Sequence, residues 1–172
     1  MPTRLLVTLW LCFVSTFTFA VGPGDQAPAW KGTDLVDARQ IEFPEILENK
    51  PAVLVFWATW CPYCKAFMPH LKDLQADYAK YGVKIISFNT KERGIGDAKA
   101  YVDSLGFPFT AIADADKIAD QYGVKFIPGL MVVDGDGVIA YRRASTNLPA
   151  GKTVSEQWAD EVRESLDTLI KN

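Results

Sequence analysis

Ala52-Val53-Leu54-Val55-Phe56-Trp57-Ala58-Thr59-Trp60-Cys61-Pro62-Tyr63-Cys64 joins a continuous apolar run to two cysteines spaced two residues apart. The run is β-branched and aromatic with no polar alternation, which predicts a strand over 52–58 buried on both faces. Beyond it, Phe67, Leu71, Leu74 and Tyr78 recur at helical spacing, predicting a helix over 62–80 with Pro69 as an internal kink. A buried strand thus delivers both cysteines to the first turn of a helix. With Cys61 at the N-cap and Pro62 at the first helical position, the proline forfeits no useful hydrogen bond. The N–H groups of Tyr63 and Cys64 then face the Cys61 sulfur and, with the helix dipole, favour its thiolate. Cys61 is expected to be an exposed nucleophile and Cys64 the buried resolving thiol of a reversible dithiol/disulfide pair.

Strands and helices alternate downstream. Strands are expected at 83–89 and 109–113, and short helices at 97–105 and 116–122. Asp134-Gly135-Asp136-Gly137 reads as a hairpin turn between strands 130–133 and 138–142. An amphipathic helix over 153–170 closes the chain, with Thr153 as N-cap and Glu156 three residues on. Upstream, 22–28 reads as an exposed lead-in, and 33–48 as a short strand or hairpin with a helical turn at 44–48. The pattern predicts an α/β fold, a three-layer α/β/α sandwich around a central mixed β-sheet.

Residues 1–20 read as a signal peptide. Arg4 gives a positive start, 5–19 an apolar stretch, and Thr18-Phe19-Ala20 a small-residue cleavage site. The stretch is short for a membrane span, and an uncleaved anchor is the alternative. Cys12 lies inside it and is expected to be lost with it. Residues 21–172 form one domain of ordinary size. The leader's one charge is Arg4, so its removal makes the net charge of −3 one unit more negative. A mildly acidic chain without a basic run is a poor match for nucleic acid or anionic membranes. Of three cysteines, only Cys61 and Cys64 then remain. They close too short a loop to staple a fold, so the pair serves chemistry.

Other readings of the pair are weaker. Structural zinc needs four ligands, and the chain's one histidine, His70, falls about 240° around the helix from Cys64 at about 100° per residue. His70 is expected to be a helix-surface residue, and no metal or cofactor is expected. Copper(I) suits two thiolates, but no methionine cluster accompanies them, which ranks a copper metallochaperone low. A peroxidatic cysteine needs a different surround. Trp57 is expected in the core, whereas Trp60 and Tyr63 flank Cys61 as a shallow docking surface.

Trp60-Cys61-Pro62-Tyr63-Cys64-Lys65, Pro69, and Ile127-Pro128 before a late strand resemble thioredoxin. The leader, Ala27-Pro28-Ala29-Trp30, the extra segment 97–114, 132–139 and Tyr141-Arg142 resemble its exported TlpA/ResA/CcmG branch. The resemblance spans roughly 27–170. It implies a cis Pro128 beside the cysteines, with the Ile127 backbone binding an extended substrate strand. Trp60, Pro62, Tyr63, Ile127 and Pro128 are therefore the expected substrate-binding residues, and Cys61 and Cys64 the catalytic ones. The sequence departs from the family at Val55 and Phe67, where an acid is usual, and at Gly129, where threonine is common. Glu92 and Lys65 are the remaining candidates to move the Cys64 proton.

The resemblance implies a monomeric periplasmic thiol:disulfide oxidoreductase. It would reduce disulfides of protein substrates and be re-reduced by a membrane thiol-electron donor, with cytochrome c maturation as a candidate pathway. A disulfide oxidase or isomerase is the alternative.

Overall fold

The computed structural model describes residues 20–144 and 150–171. The leader expected at 1–20, including Cys12, lies outside the described residues except for Ala20. β1 (Trp30–Thr33) and β2 (Gln40–Phe43) form an antiparallel hairpin, with Trp30 opposite Phe43. β3 (Ala52–Trp57), β4 (Lys84–Asn89), β5 (Thr110–Ile112), β6 (Gly129–Val133) and β7 (Ile139–Arg142) form one five-stranded sheet in the order β5-β4-β3-β6-β7. β3 runs parallel to β4 and antiparallel to β6. The helices are α1 (Pro62–Tyr78), α2 (Ala98–Ser104), α3 (Asp116–Gln121) and α4 (Val154–Lys171).

β3 is central and every residue in it is buried, as its unbroken apolar run requires. Alternate side chains leave the sheet on opposite faces. Val53, Val55 and Trp57 pack in a cluster with Phe67 and Leu71 of α1 and Trp158 and Val162 of α4. Leu54 and Phe56 pack in a second cluster with Trp30 and Phe43 of the hairpin and Ile118 of α3. Burial of each large apolar side chain stabilises by about 1.5–3 kcal/mol. These two clusters are the two interfaces of the predicted three-layer mixed-sheet sandwich.

The structure refines three local expectations. The lead-in is exposed over 23–26, as expected, but it is tied down: Gly24 N–H donates to Ile139 O, Ile139 N–H to Asp25 O and Ala27 N–H to Gly137 O. It therefore lies along the outer edge of β7, and Ala27 is buried. Trp30 opens a strand, because pairing with β2 supplies the partner that Trp-Lys-Gly-Thr alone does not advertise. α1 runs unbroken through Pro69. Both Pro69 and Lys65 are exposed, so the Lys65 carbonyl that loses its helical partner meets solvent. Among the described residues no helix is long and apolar enough to cross a membrane.

Candidate active site

β3 ends at Trp57 and α1 starts at Pro62, so both cysteines sit at the helix mouth above the sheet. Cys61 is the N-cap, and Cys64 N–H donates to its Sγ at 3.1 Å. The two sulfurs form a disulfide, with Cα atoms 5.3 Å apart. Tyr63 N–H does not join in, since an N-cap atom here reaches the third helical residue rather than the second. The expected exposure of Cys61 is not met either: it is 2% exposed and Cys64 1%. Bonding draws Cys61 toward Cys64, and Trp60 and Ile127 pack against the cluster that holds both. In the disulfide form the sulfurs differ by place along the helix, not by exposure.

The Ile127–Pro128 bond is cis, as expected, and Phe43–Pro44 is a second cis bond that the sequence reading passed over. Pro128 is buried and Ile127 half-buried. Pro62 and Tyr63 are exposed, the latter at 60%. Trp60 is less a docking side chain than an anchored one. Its Nε1–H donates to Lys91 O at 2.7 Å, and the Arg93 guanidinium lies 3.6 Å from the ring centroid. Trp57 is in the core, as expected.

Glu92 explains that anchoring. Its carboxylate accepts from Thr59 N–H at 2.7 Å, Thr59 Oγ1–H at 2.6 Å and Asn89 Nδ2–H at 2.6 Å. Both oxygens are spent on holding the turn before Cys61 to the turn after β4. Gly96 closes the clamp, for a Cβ there would meet Thr59 Oγ1 at 2.2 Å. Lys65 is exposed, with Nζ 5.8 Å from the Tyr101 ring centroid. Phe67, where the resembled family carries an acid, is fully buried with its ring 6.3 Å from Trp158. His70 is half-buried, its ring 6.2 Å from that of Phe67. Gly129 has a steric cause: a Cβ would lie 2.8 Å from Val124 Cγ1 and 3.2 Å from Phe56 Cβ.

Two arginines that the sequence reading did not place hold the proline loop. Arg143 donates from Nε at 3.0 Å and a terminal nitrogen at 2.6 Å to Pro128 O. Its guanidinium also lies 4.8 Å from the Trp158 ring centroid. Arg142 donates to the carbonyls of Val21, Tyr122 and Gly123. Burial lowers the pKa of both. Adjacent arginines at a strand end were the available signal. A groove of about 750 Å³ runs from Tyr63 past Pro128 to Trp158, with Phe126, 79% exposed, on its rim.

The chain matches the AhpC/TSA family over residues 23–142. A thiol-disulfide oxidoreductase ResA from Bacillus thuringiensis (strain Al Hakam) is 36% identical, over 86% of this chain and 76% of that protein. A thiol:disulfide interchange protein DsbE from Tatumella citrea is 33% identical, over 81% and 71%. A thiol:disulfide interchange protein of the thioredoxin family from Chlorobium tepidum superposes with a TM-score of 0.64 at 20% identity, over 85% of this chain and 98% of that one.

Proposed function

The chain belongs to the AhpC/TSA family, within the thioredoxin superfamily, and from that premise we propose that it is an exported thiol:disulfide oxidoreductase reducing protein disulfides. The observation that carries this is the Cys61–Cys64 bridge at the mouth of α1. Relatives named ResA and DsbE support disulfide exchange as the reaction.

In the reduced protein the Cys61 thiolate attacks one sulfur of a substrate disulfide. The substrate S–S bond breaks, one substrate thiolate leaves, and a mixed disulfide forms at Cys61. Cys64 gives up its proton and attacks the Cys61 sulfur, which forms the bridge and releases the second substrate thiolate. Two electrons pass to the substrate. The Cys64 N–H at Cys61 Sγ and the dipole of α1 favour the anion that starts and ends this cycle. Ile127 and Pro128 offer backbone to an extended substrate segment, with Pro62 and Tyr63 beside it and Trp60 fixing the turn. A membrane thiol-electron donor restores the dithiol. Residues 1–20 act as the export signal for the periplasm, with an uncleaved anchor as the alternative, 21–172 work as one monomeric domain, and cytochrome c maturation is one candidate pathway.

Cys61→Ser is expected to abolish exchange, and Cys64→Ser to accumulate mixed disulfides with partner proteins, read on non-reducing gels. Capture by Cys61→Ser instead would invert the two roles. Equilibration against glutathione sets the direction: a potential far above the reducing thioredoxin range of about −270 mV would make the protein an oxidase.

A further inference from the structure

We propose that the groove beside the cysteine pair selects substrate segments carrying a carboxylate next to the reacting cysteine, with Arg143 and Lys125 as the recognising cations. The proposal rests on the oxidoreductase reading above and deepens it.

The groove's charged lining is one-signed. Among the described residues Lys125, Arg142 and Arg143 line it, and no aspartate or glutamate does. Arg142 is committed to three backbone carbonyls. Arg143 is not exhausted: its bonds from Nε and one terminal nitrogen leave the other terminal nitrogen without a hydrogen bond among the described residues. Neither Arg143 nor Lys125 forms an ion pair with a described carboxylate. Glu161 acts electrostatically on Arg143, but its oxygens accept from Tyr141 Oη–H and Gln157 Nε2–H and it lies outside the groove.

The Arg143 guanidinium, hydrogen-bonded to one carbonyl and set over an indole face with no carboxylate in ion-pair range among the described residues, holds its charge in a partly desolvated place. Such a charge is repaid by a carboxylate arriving with its fork of acceptors. Apolar contact comes from Tyr63, Phe126 and Trp158 on the walls. The occupant that fits is an extended peptide lying along Ile127–Pro128, its acidic side chain turned toward Arg143.

The test uses full-length Cys64→Ser protein and three synthetic peptides, each activated as a pyridyl mixed disulfide and differing only in Glu, Gln or Lys beside the cysteine. Release of thiopyridone reports thiol exchange at Cys61. The Glu peptide is expected to react about fivefold faster than the Lys peptide at low ionic strength, the scale of one partly exposed ion pair. The ratio should fall toward one in high salt and in Arg143→Gln, and persist in Arg143→Lys. Equal rates for the three peptides in the unsubstituted groove would overturn the proposal, as would a ratio that survives Arg143→Gln. The underlying reading fails separately: the protein with both cysteines would leave protein disulfides intact, whatever the peptide ratio.

Discussion

Thr59 illustrates how a residue with no chemistry of its own sets the reactive one. Its N–H and hydroxyl both end on Glu92, and Gly96 leaves the space that the hydroxyl fills. Gly96→Ala puts a methyl group 2.2 Å from that oxygen, so the turn before Cys61 must shift. The substitution is expected to cost about 1–3 kcal/mol of stability by overpacking, read by urea unfolding, and to slow disulfide exchange. Unchanged values of both would show that the clamp does not hold the turn. Cys61, Cys64 and Pro128 were legible because they lie in short motifs. The clamp was not, for it joins residues 33 apart in sequence, and the Arg143–Pro128 contact spans 15. Burial of Cys61 was hidden for the same reason, since Ile127 comes from the far side of the chain.

Elements were legible in proportion to how locally their stability is determined. β3 was clear because its own run is apolar throughout, and α4 because Thr153 and Glu156 announce its start. Thr153 N–H donates to Glu156 at 2.7 Å, and Glu156 N–H donates back to Thr153 Oγ1 at 3.3 Å, a reciprocal cap. β1 was obscure because its strand character comes from Phe43 and its neighbours in β2. Thr153→Ala is expected to cost about 1 kcal/mol, measured as a lower denaturation midpoint. The Thr153 backbone N–H holds the Glu156 carboxyl below its usual range. That contribution is present above the ordinary glutamate value and fades as pH falls through the lowered one. Glu156→Gln, which lacks the ionised carboxylate, should therefore differ from the parent at neutral pH and converge with it in acid. A gap that stays constant into acid would remove Glu156 from the cap.

At the scale of the whole molecule, three tyrosines join segments distant in sequence through their hydroxyls. Burial, then the hydrogen bond to Asp167, pushes Tyr78 up to about 12. Burial likewise raises Tyr122, which donates to Pro28 O, and Tyr141, which donates to Glu161. A group whose folded pKa is raised stabilises the fold below its unfolded value and loses that contribution as pH climbs through the folded one. The thermal midpoint is thus expected to hold up to about pH 10 and to drop above it. Phenolate absorbance of the folded protein should appear in part only beyond that point. A single phenolate step near the free-tyrosine value, or a midpoint indifferent to alkali, would contradict these assignments.

Both rims of the five-stranded sheet are partly covered by the chain's own backbone. Gly24 to Ala27 follows β7, while Leu35 N–H donates to Ala111 O and Ala113 N–H to Thr33 O along β5. Among the described residues, part of each outer ladder is therefore already taken, which shortens the edge on which another extended chain could template. A shortened edge on both flanks works against lateral strand-to-strand association of copies of this chain.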